Sequence, residues 1–181
     1  MTVSSPPASV AAETAILGAI LLNNGHYQEA AGRIEAADFS LDSHRRVFLR
    51  MGELLIDGKS VDIVTLAEQL QRNKELPAIG GVAYRASLTE GLPRRLSIEE
   101  YVRIVKDKSL LRQTIVESNR VGALAGDQSG RAEDALAEAE SAFRRIAGKA
   151  KSAPSWKADR SAGAILSPRA GRDHRCAVVH R

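Results

Sequence analysis

Residues 97–123, SIEEYVRIVKDKSLLRQTIVESNRVGA, carry the longest helical pattern in the chain and decide its fold. Ser97 and Glu100 form an S-x-x-E capping box at its start. A helix of about 27 residues is about 40 Å long at ~1.5 Å per residue, longer than a small bundle is wide. The polar stretch GDQSGR, residues 126–131, then turns the chain into a second amphipathic helix at 132–147. The pattern predicts a projecting antiparallel helical hairpin.

Upstream of this stretch, residues 10–96 predict a small, all-α globular bundle. Helix stops are expected at Asn23-Asn24-Gly25 and at Gly58, and Phe39 is expected to anchor a loop in the core. A further short helix is expected after Gly80-Gly81, carrying Val82, Tyr84 and Leu88. The predicted N-terminal caps are Ser9, Ser43 and Asp62. Residues 1–9 are expected to be a flexible lead-in, residues 97–148 the hairpin, and residues 149–181 a disordered basic tail.

The composition argues against export, membrane insertion and bulk attraction to DNA. Residues 149–181 carry a net charge of +6, so the preceding 148 residues are near neutral at −2. A DNA-binding domain is expected to present a basic face instead. The single cysteine, Cys176, excludes an internal disulfide and favours a reducing cytoplasm. The longest apolar run, residues 15–22, is far shorter than the ~20 residues that span a bilayer.

The tripeptide Gly58-Lys59-Ser60 resembles the end of a phosphate-binding loop. The complete motif has another glycine five residues before the second one, where this chain has Glu53. It also has a strand before the loop, whereas the preceding residues have helical periodicity. The tripeptide is therefore interpreted as a chance match, and Lys59 as a solvated loop residue.

The sequence contains no recognisable catalytic, cofactor-binding or metal-binding constellation. His174 and Cys176 are two ligand types in the predicted tail, whereas a structural zinc site usually has four in a paired pattern. No serine lies in a strand–turn–helix context. Acidic residues cluster near helix starts, where they complement the helix dipole. What stands out instead is an apolar stripe on the second hairpin helix: Leu136, Ala139, Phe143 and Ile146.

The apolar side chains of this stripe must pack against other apolar groups to be removed from water. A projecting hairpin can cover it only with another chain or another domain, which predicts a helical interaction module. The alternative is that the hairpin folds back on its own bundle.

Four blocks in order resemble the N-terminal domain of bacterial replicative DNA helicases of the DnaB type. They are ETAILGAILLNN, DFSLDSHRRVFLRMGELLIDGKSVDIVTLAEQLQRN, GGVAYRASLTEGLP and IEEYVRIVKDKSLLRQTI. The resemblance implies hairpin pairing between subunits, a ring of six built as a trimer of dimers, and primase docking in the primosome. Carried onto this chain, the pairing surface would consist of Leu136, Phe143 and Ile146, assisted by Leu111 and Ile115.

The resemblance covers roughly residues 11–148 and omits the RecA-like motor domain of that family. ATP and Mg²⁺ would belong to that domain, and no cofactor is expected on this chain. DNA contact is expected only through the assembled helicase. Two other hypotheses remain open: a truncated helicase product without a role, and a small DNA-binding protein that uses its basic tail.

Overall fold

The computed structural model describes residues 5–77, 97–126 and 131–151, without the side chain of residue 151. These residues form helices and contain no strand, which confirms the all-α prediction. The helix expected after Gly80-Gly81, the tip of the hairpin turn and residues 152–181 of the predicted tail lie outside them. Residues 149–151, which the sequence assigns to the tail, are helical. The helices are α1 Val10–Leu22, α2 Gly25–Ala31, α3 Asp42–Ile56, α4 Ile63–Arg72, α5 Ile98–Gly126 and α6 Ala132–Lys151, with a 3-10 turn at Ala36–Asp38 between α2 and α3.

Helix α1 lies in the centre of the bundle. Ile16, Leu17 and Ile20 are fully buried, and α1 packs against α2, α3 and α5. Phe39 is also fully buried, and its ring lies 5.1 Å from that of Phe48. Phe39 is thus the core anchor that the sequence predicts.

The joint between α3 and α4 is set by two local motifs. Gly58 has φ +71, its N–H donates to the Leu55 carbonyl at 3.0 Å, and the Lys59 N–H donates to the Leu54 carbonyl at 2.9 Å. This is a Schellman end, which favours glycine because a side chain is strained at positive φ. Asp62 then accepts hydrogen bonds from two first-turn N–H groups of α4, at 2.7 and 2.9 Å. The predicted stop and start are both confirmed.

Two predicted side-chain caps are wrong. Ser9 occupies the N-cap position of α1 but makes no side-chain cap bond; only its backbone carbonyl accepts, from Glu13 N–H. Ser43 lies inside α3, which begins at Asp42. The chain enters this helix early because the Glu13 carboxylate accepts the Ser40 N–H at 2.7 Å. That long-range bond holds the entry to α3 against α1.

Helix α5 begins in the bundle and ends outside it. Ile98, Val102, Val105 and Ser109 are buried, and beyond Ser109 no residue of α5 is buried. Helix α6 packs mainly on α5. At 29 residues α5 is about 43 Å long, so its second half and α6 project from the bundle as a hairpin.

Candidate interaction surface on the helical hairpin

The hairpin is anchored to the bundle by Asp38, a buried carboxylate at the end of the 3-10 turn. Its oxygens accept hydrogen bonds from Ser109 Oγ at 2.6 Å, Lys106 Nζ at 2.9 Å and the Glu35 N–H at 2.9 Å. Burial by itself raises the pKa of Asp38, but the bonds from Ser109, Glu35 and Lys106 outweigh burial and hold this pKa below its usual value. The ionised carboxylate therefore ties α5 to the turn.

Arg112 makes a second link, one turn further along α5. Its guanidinium donates to the Pro7 carbonyl at 2.7 Å and to the Asp38 carbonyl. Burial lowers the pKa of Arg112, and the nearby positive charge of Arg45 lowers it further, against the attraction of Glu13 and Asp38. The Arg112 guanidinium thus joins α5 to both the lead-in segment and the 3-10 turn.

Behind these links lies a buried pair, Glu13 and His44. Both side chains are almost completely buried, and Glu13 Oε2 lies 2.6 Å from His44 Nδ1. Burial raises the pKa of Glu13, but the hydrogen bonds from His44 and Ser40 prevail and lower it. Glu13 thus connects α1, the start of α3 and the loop between them through charge-assisted bonds.

Polar contacts join the two arms of the hairpin and define their register. Arg120 donates to Glu138 at 2.7 Å, and Lys149 donates to Gln113 at 3.3 Å. Ala142 is the fully buried residue of α6, and its small side chain allows the helices to approach closely. The pairing confirms that the helices run antiparallel.

The structure divides the five predicted interface residues into two groups. Leu111, Ile115, Leu136 and Phe143 are between 40% and 71% exposed. Ile146 is half-buried and lines a cleft against α5 together with Val116. The four exposed residues provide the apolar surface expected of an interface, and Ile146 is partly covered within the chain.

The exposed residues do not form one cluster. Since residue 113 lies opposite residue 149, and residue 120 opposite residue 138, Leu111 lies near the bundle and Leu136 near the hairpin turn. About 11 residues of α5 separate the two levels, roughly 17 Å. The apolar surface therefore follows the length of the hairpin.

Two further exposed apolar residues were missed from the predicted surface, Val116 and Leu124. Val116 directly follows Ile115, so its position in an apolar pair was a usable signal. Leu124 lies one residue beyond the predicted helix end at Ala123, whereas the helix continues to Gly126. Leu124 lengthens the apolar surface on α5, whereas Val116 also lines the cleft against α6.

The Gly58-Lys59-Ser60 loop has a different architecture from a phosphate-binding loop. It follows helix α3 rather than a strand, and the N–H groups of Gly58 and Lys59 already donate to carbonyls of α3. Such N–H groups would have to face a phosphate in a nucleotide site. Lys59 is half-exposed, with its Nζ 3.0 Å from Asp57.

The described residues present no group of three or more His, Cys, Asp and Glu side chains able to hold a metal ion. Within those same stretches, no helix combines the length and the apolar content needed to cross a bilayer.

Comparison with known proteins identifies the family. The model of the DnaB-like helicase N-terminal domain matches residues 5–107, more than half of the chain. This chain belongs to that family. Replicative DNA helicase DnaB of Haemophilus influenzae is 38% identical over 119 residues, 66% of this chain and 25% of the relative. The same-named protein of Pasteurella multocida is 37% identical over 136 residues, 75% of this chain and 29% of the relative. The chain thus spans less than a third of these relatives.

Solved structures of DnaB-type helicases share the fold. The crystal structure of the N-terminal domain of DnaB helicase from Mycobacterium tuberculosis has a TM-score of 0.72 and 29% identity, covering 78% of this chain and 99% of that one. A DnaB-like replicative helicase, described with its interactions with primase, has a TM-score of 0.62 and 21% identity, covering 78% of this chain and 31% of that one.

Proposed function

We propose that this chain is a protein-interaction module of a replicative DNA helicase. Its hairpin pairs with the hairpin of another subunit, first as a dimer and then within the collar of a helicase ring, and the assembled collar docks primase. ATP hydrolysis with Mg²⁺ is assigned to a motor domain, and DNA is contacted through the assembled helicase. The single cysteine leads us to place this activity in the cytoplasm.

The observation that carries this proposal is the apolar surface along the hairpin. Leu111, Ile115, Leu136 and Phe143 are exposed on two helices that leave the bundle. Apolar side chains that follow the length of a projecting helix are typically covered by another helix, as in a coiled coil. A second hairpin is the simplest cover, because it supplies an apolar surface of the same length.

The charges of α6 favour antiparallel pairing. Its first half carries the acidic residues Glu133, Asp134, Glu138 and Glu140. Its second half carries the basic residues Arg144 and Lys151, besides two basic residues that line the cleft against α5. Within one chain this order complements the helix dipole. Between two chains, antiparallel α6 helices would place each acidic half beside a basic half, which favours one orientation.

Primase docking is supported by the DnaB-like helicase of the same fold that is described with its interactions with primase. The match in fold supports an equivalent surface on this chain, without assigning contacts to single residues. Calorimetric titration with primase from the same organism tests this part. Saturable binding is expected, and a folded chain that releases no heat would contradict it.

The pairing proposal is tested by Phe143→Asp, with Leu49→Asp as its control. Both residues are exposed, but Leu49 lies on α3, outside the hairpin. A buried, unpaired carboxylate is strongly unfavourable, so Phe143→Asp should dissociate the oligomer. The mass is measured by light scattering after gel filtration, with helicity checked by circular dichroism. An unchanged mass for Phe143→Asp would place the interface elsewhere.

A further inference from the structure

A cleft of about 370 Å³ lies where the hairpin meets the bundle. Arg45 of α3, Arg112 of α5, and Arg145 and Lys149 of α6 line it, and these four residues are named the basic cleft. Only the tertiary structure assembles them, because they come from three helices. Phe143 is not among the residues that line the cleft.

The basic cleft has a clear excess of positive charge. Glu117 is the one acidic residue among the residues that line it. Its carboxylate is already held by Arg120 at 2.7 Å, with Arg145 at 3.9 Å, and the hydrogen bond from Arg120 lowers its pKa. Four cations and one carboxylate thus line the cleft, while the carboxylates of Glu13 and Asp38 attract Arg112 from outside the lining.

Neutral groups hold two of these cations in place. Arg45 donates from Nε to the Phe39 carbonyl at 2.8 Å and from a terminal nitrogen to the Ser40 carbonyl at 3.3 Å. Arg112 donates to the Pro7 and Asp38 carbonyls. Within the described ranges, neither guanidinium has a carboxylate oxygen within ion-pair distance. A guanidinium has five N–H donors, so each retains donors for an anion.

Part of the wall of the cleft is apolar, which favours a ligand that has apolar groups as well as negative charge. Val116, Ala142 and Ile146 line it beside the four cations. A site with carbon side chains and fixed cations suits a ligand that carries both apolar groups and carboxylates. Duplex DNA offers phosphates but no apolar side chains, and it is bound best by an extended basic face.

We propose that the basic cleft binds an acidic, amphipathic segment of a partner protein, with its carboxylates on the guanidinium groups and its apolar side chains on Val116 and Ile146. This inference rests on the proposed role as a protein-interaction module, and it adds a site separate from the hairpin pairing surface. The basic tail of this chain is excluded as the occupant by its charge.

The test uses the full chain and a fluorescein-labelled helical peptide with glutamates and leucines on one face. Binding is measured by fluorescence anisotropy for the parent chain and for Arg145→Glu and Arg144→Glu. The two substitutions make the same charge change at adjacent positions. Arg144, however, lies outside the cleft lining and pairs with Glu140. Arg145→Glu should weaken binding about tenfold or more, because it places a negative charge beside the negatively charged carboxylates of the peptide. Arg144→Glu should change affinity about twofold or less.

Several results would overturn the assignment. Equal weakening by the two substitutions would show a diffuse charge effect. If a matched peptide with lysine in place of glutamate also binds, the cleft recognises only the apolar side chains of the peptide and not its carboxylates. If inorganic pyrophosphate or duplex DNA binds in an Arg145-dependent manner while the acidic peptide does not, the site belongs to those anions. Phe143→Asp distinguishes hairpin pairing from peptide binding in the basic cleft. The variant should still bind the peptide, whether or not its oligomer dissociates.

Discussion

Replacing Asp38 by Asn should strongly destabilise this chain, although the side chain keeps its shape. Three donors converge on the ionised carboxylate, one of them the Lys106 ammonium. Asparagine removes the charge and directs an amide N–H₂ group toward groups that also donate. Hydrogen bonds to charged groups contribute about 1.5–3 kcal/mol each, so the loss of one to two of them predicts about 2–4 kcal/mol.

Asp42→Asn is the matched control. Asp42 pairs with Arg46 at 2.6 Å on the outer face of α3, and its side chain is 63% exposed. Exposed i,i+4 ion pairs contribute little to stability, because solvent screens them. The same chemical change at a site exposed to solvent should therefore lower the free energy of unfolding far less.

Urea denaturation followed by helicity at 222 nm measures both variants at pH 7. The expected result is a large fall in the midpoint for Asp38→Asn with an unchanged slope, and a small fall for Asp42→Asn. Equal midpoints for the two variants would refute the argument that Asp38 anchors α5. The hairpin would then have to be held to the bundle by apolar packing alone.

Four other substitutions follow from the structure. Gly58→Ala should lower the free energy of unfolding in urea by about 0.5–1 kcal/mol, whereas Lys74→Gly, at a φ of 58 in the equivalent position after α4, should raise it by a similar amount. The pKa of Glu13 is lowered in the folded chain, so its ionised carboxylate stabilises the fold fully above the usual pKa of a glutamate, and this contribution is lost as the pH falls through the lower folded-state pKa. Glu13→Gln should therefore flatten the decline in unfolding free energy between about pH 5 and about pH 3. Parallel curves for the two chains would contradict this. Phe39→Ala should cost about 3–5 kcal/mol, seen as a lower thermal midpoint, and an unchanged midpoint would contradict its role as core anchor.

Local sequence determined the joints between helices. The stop at Gly58 and the start at Asp62 were predictable because each depends on groups within a few residues of itself. The start of α3 was not, because its position depends on a bond between Ser40 and Glu13, 27 residues apart. Ser43 has the right chemistry for a cap, but the helix begins one residue before it, at Asp42, where tertiary contacts hold the chain.

Periodicity also determined that a hairpin exists, but not which residues it leaves exposed. Phe143 and Ile146 belong to one stripe of α6 by spacing, and an apolar stripe on a helix is about 100° wide. The packing of α5 against one edge of that stripe half-buries Ile146 and leaves Phe143 in solvent. The angle at which two helices meet depends on all their contacts, which a one-dimensional pattern does not contain.

The polar anchor and the basic cleft were decided by tertiary structure alone. Asp38 and Ser109 are 71 residues apart, and Arg45 and Lys149 are 104 residues apart along the chain. In the sequence, each of these residues looks like ordinary surface charge. The sequence determined the ends of helices whose terminal N–H and carbonyl groups bond to near neighbours in the chain, as at Gly58 and Asp62. The fold determined the charged sites, because charges act through space on the groups that packing places beside them.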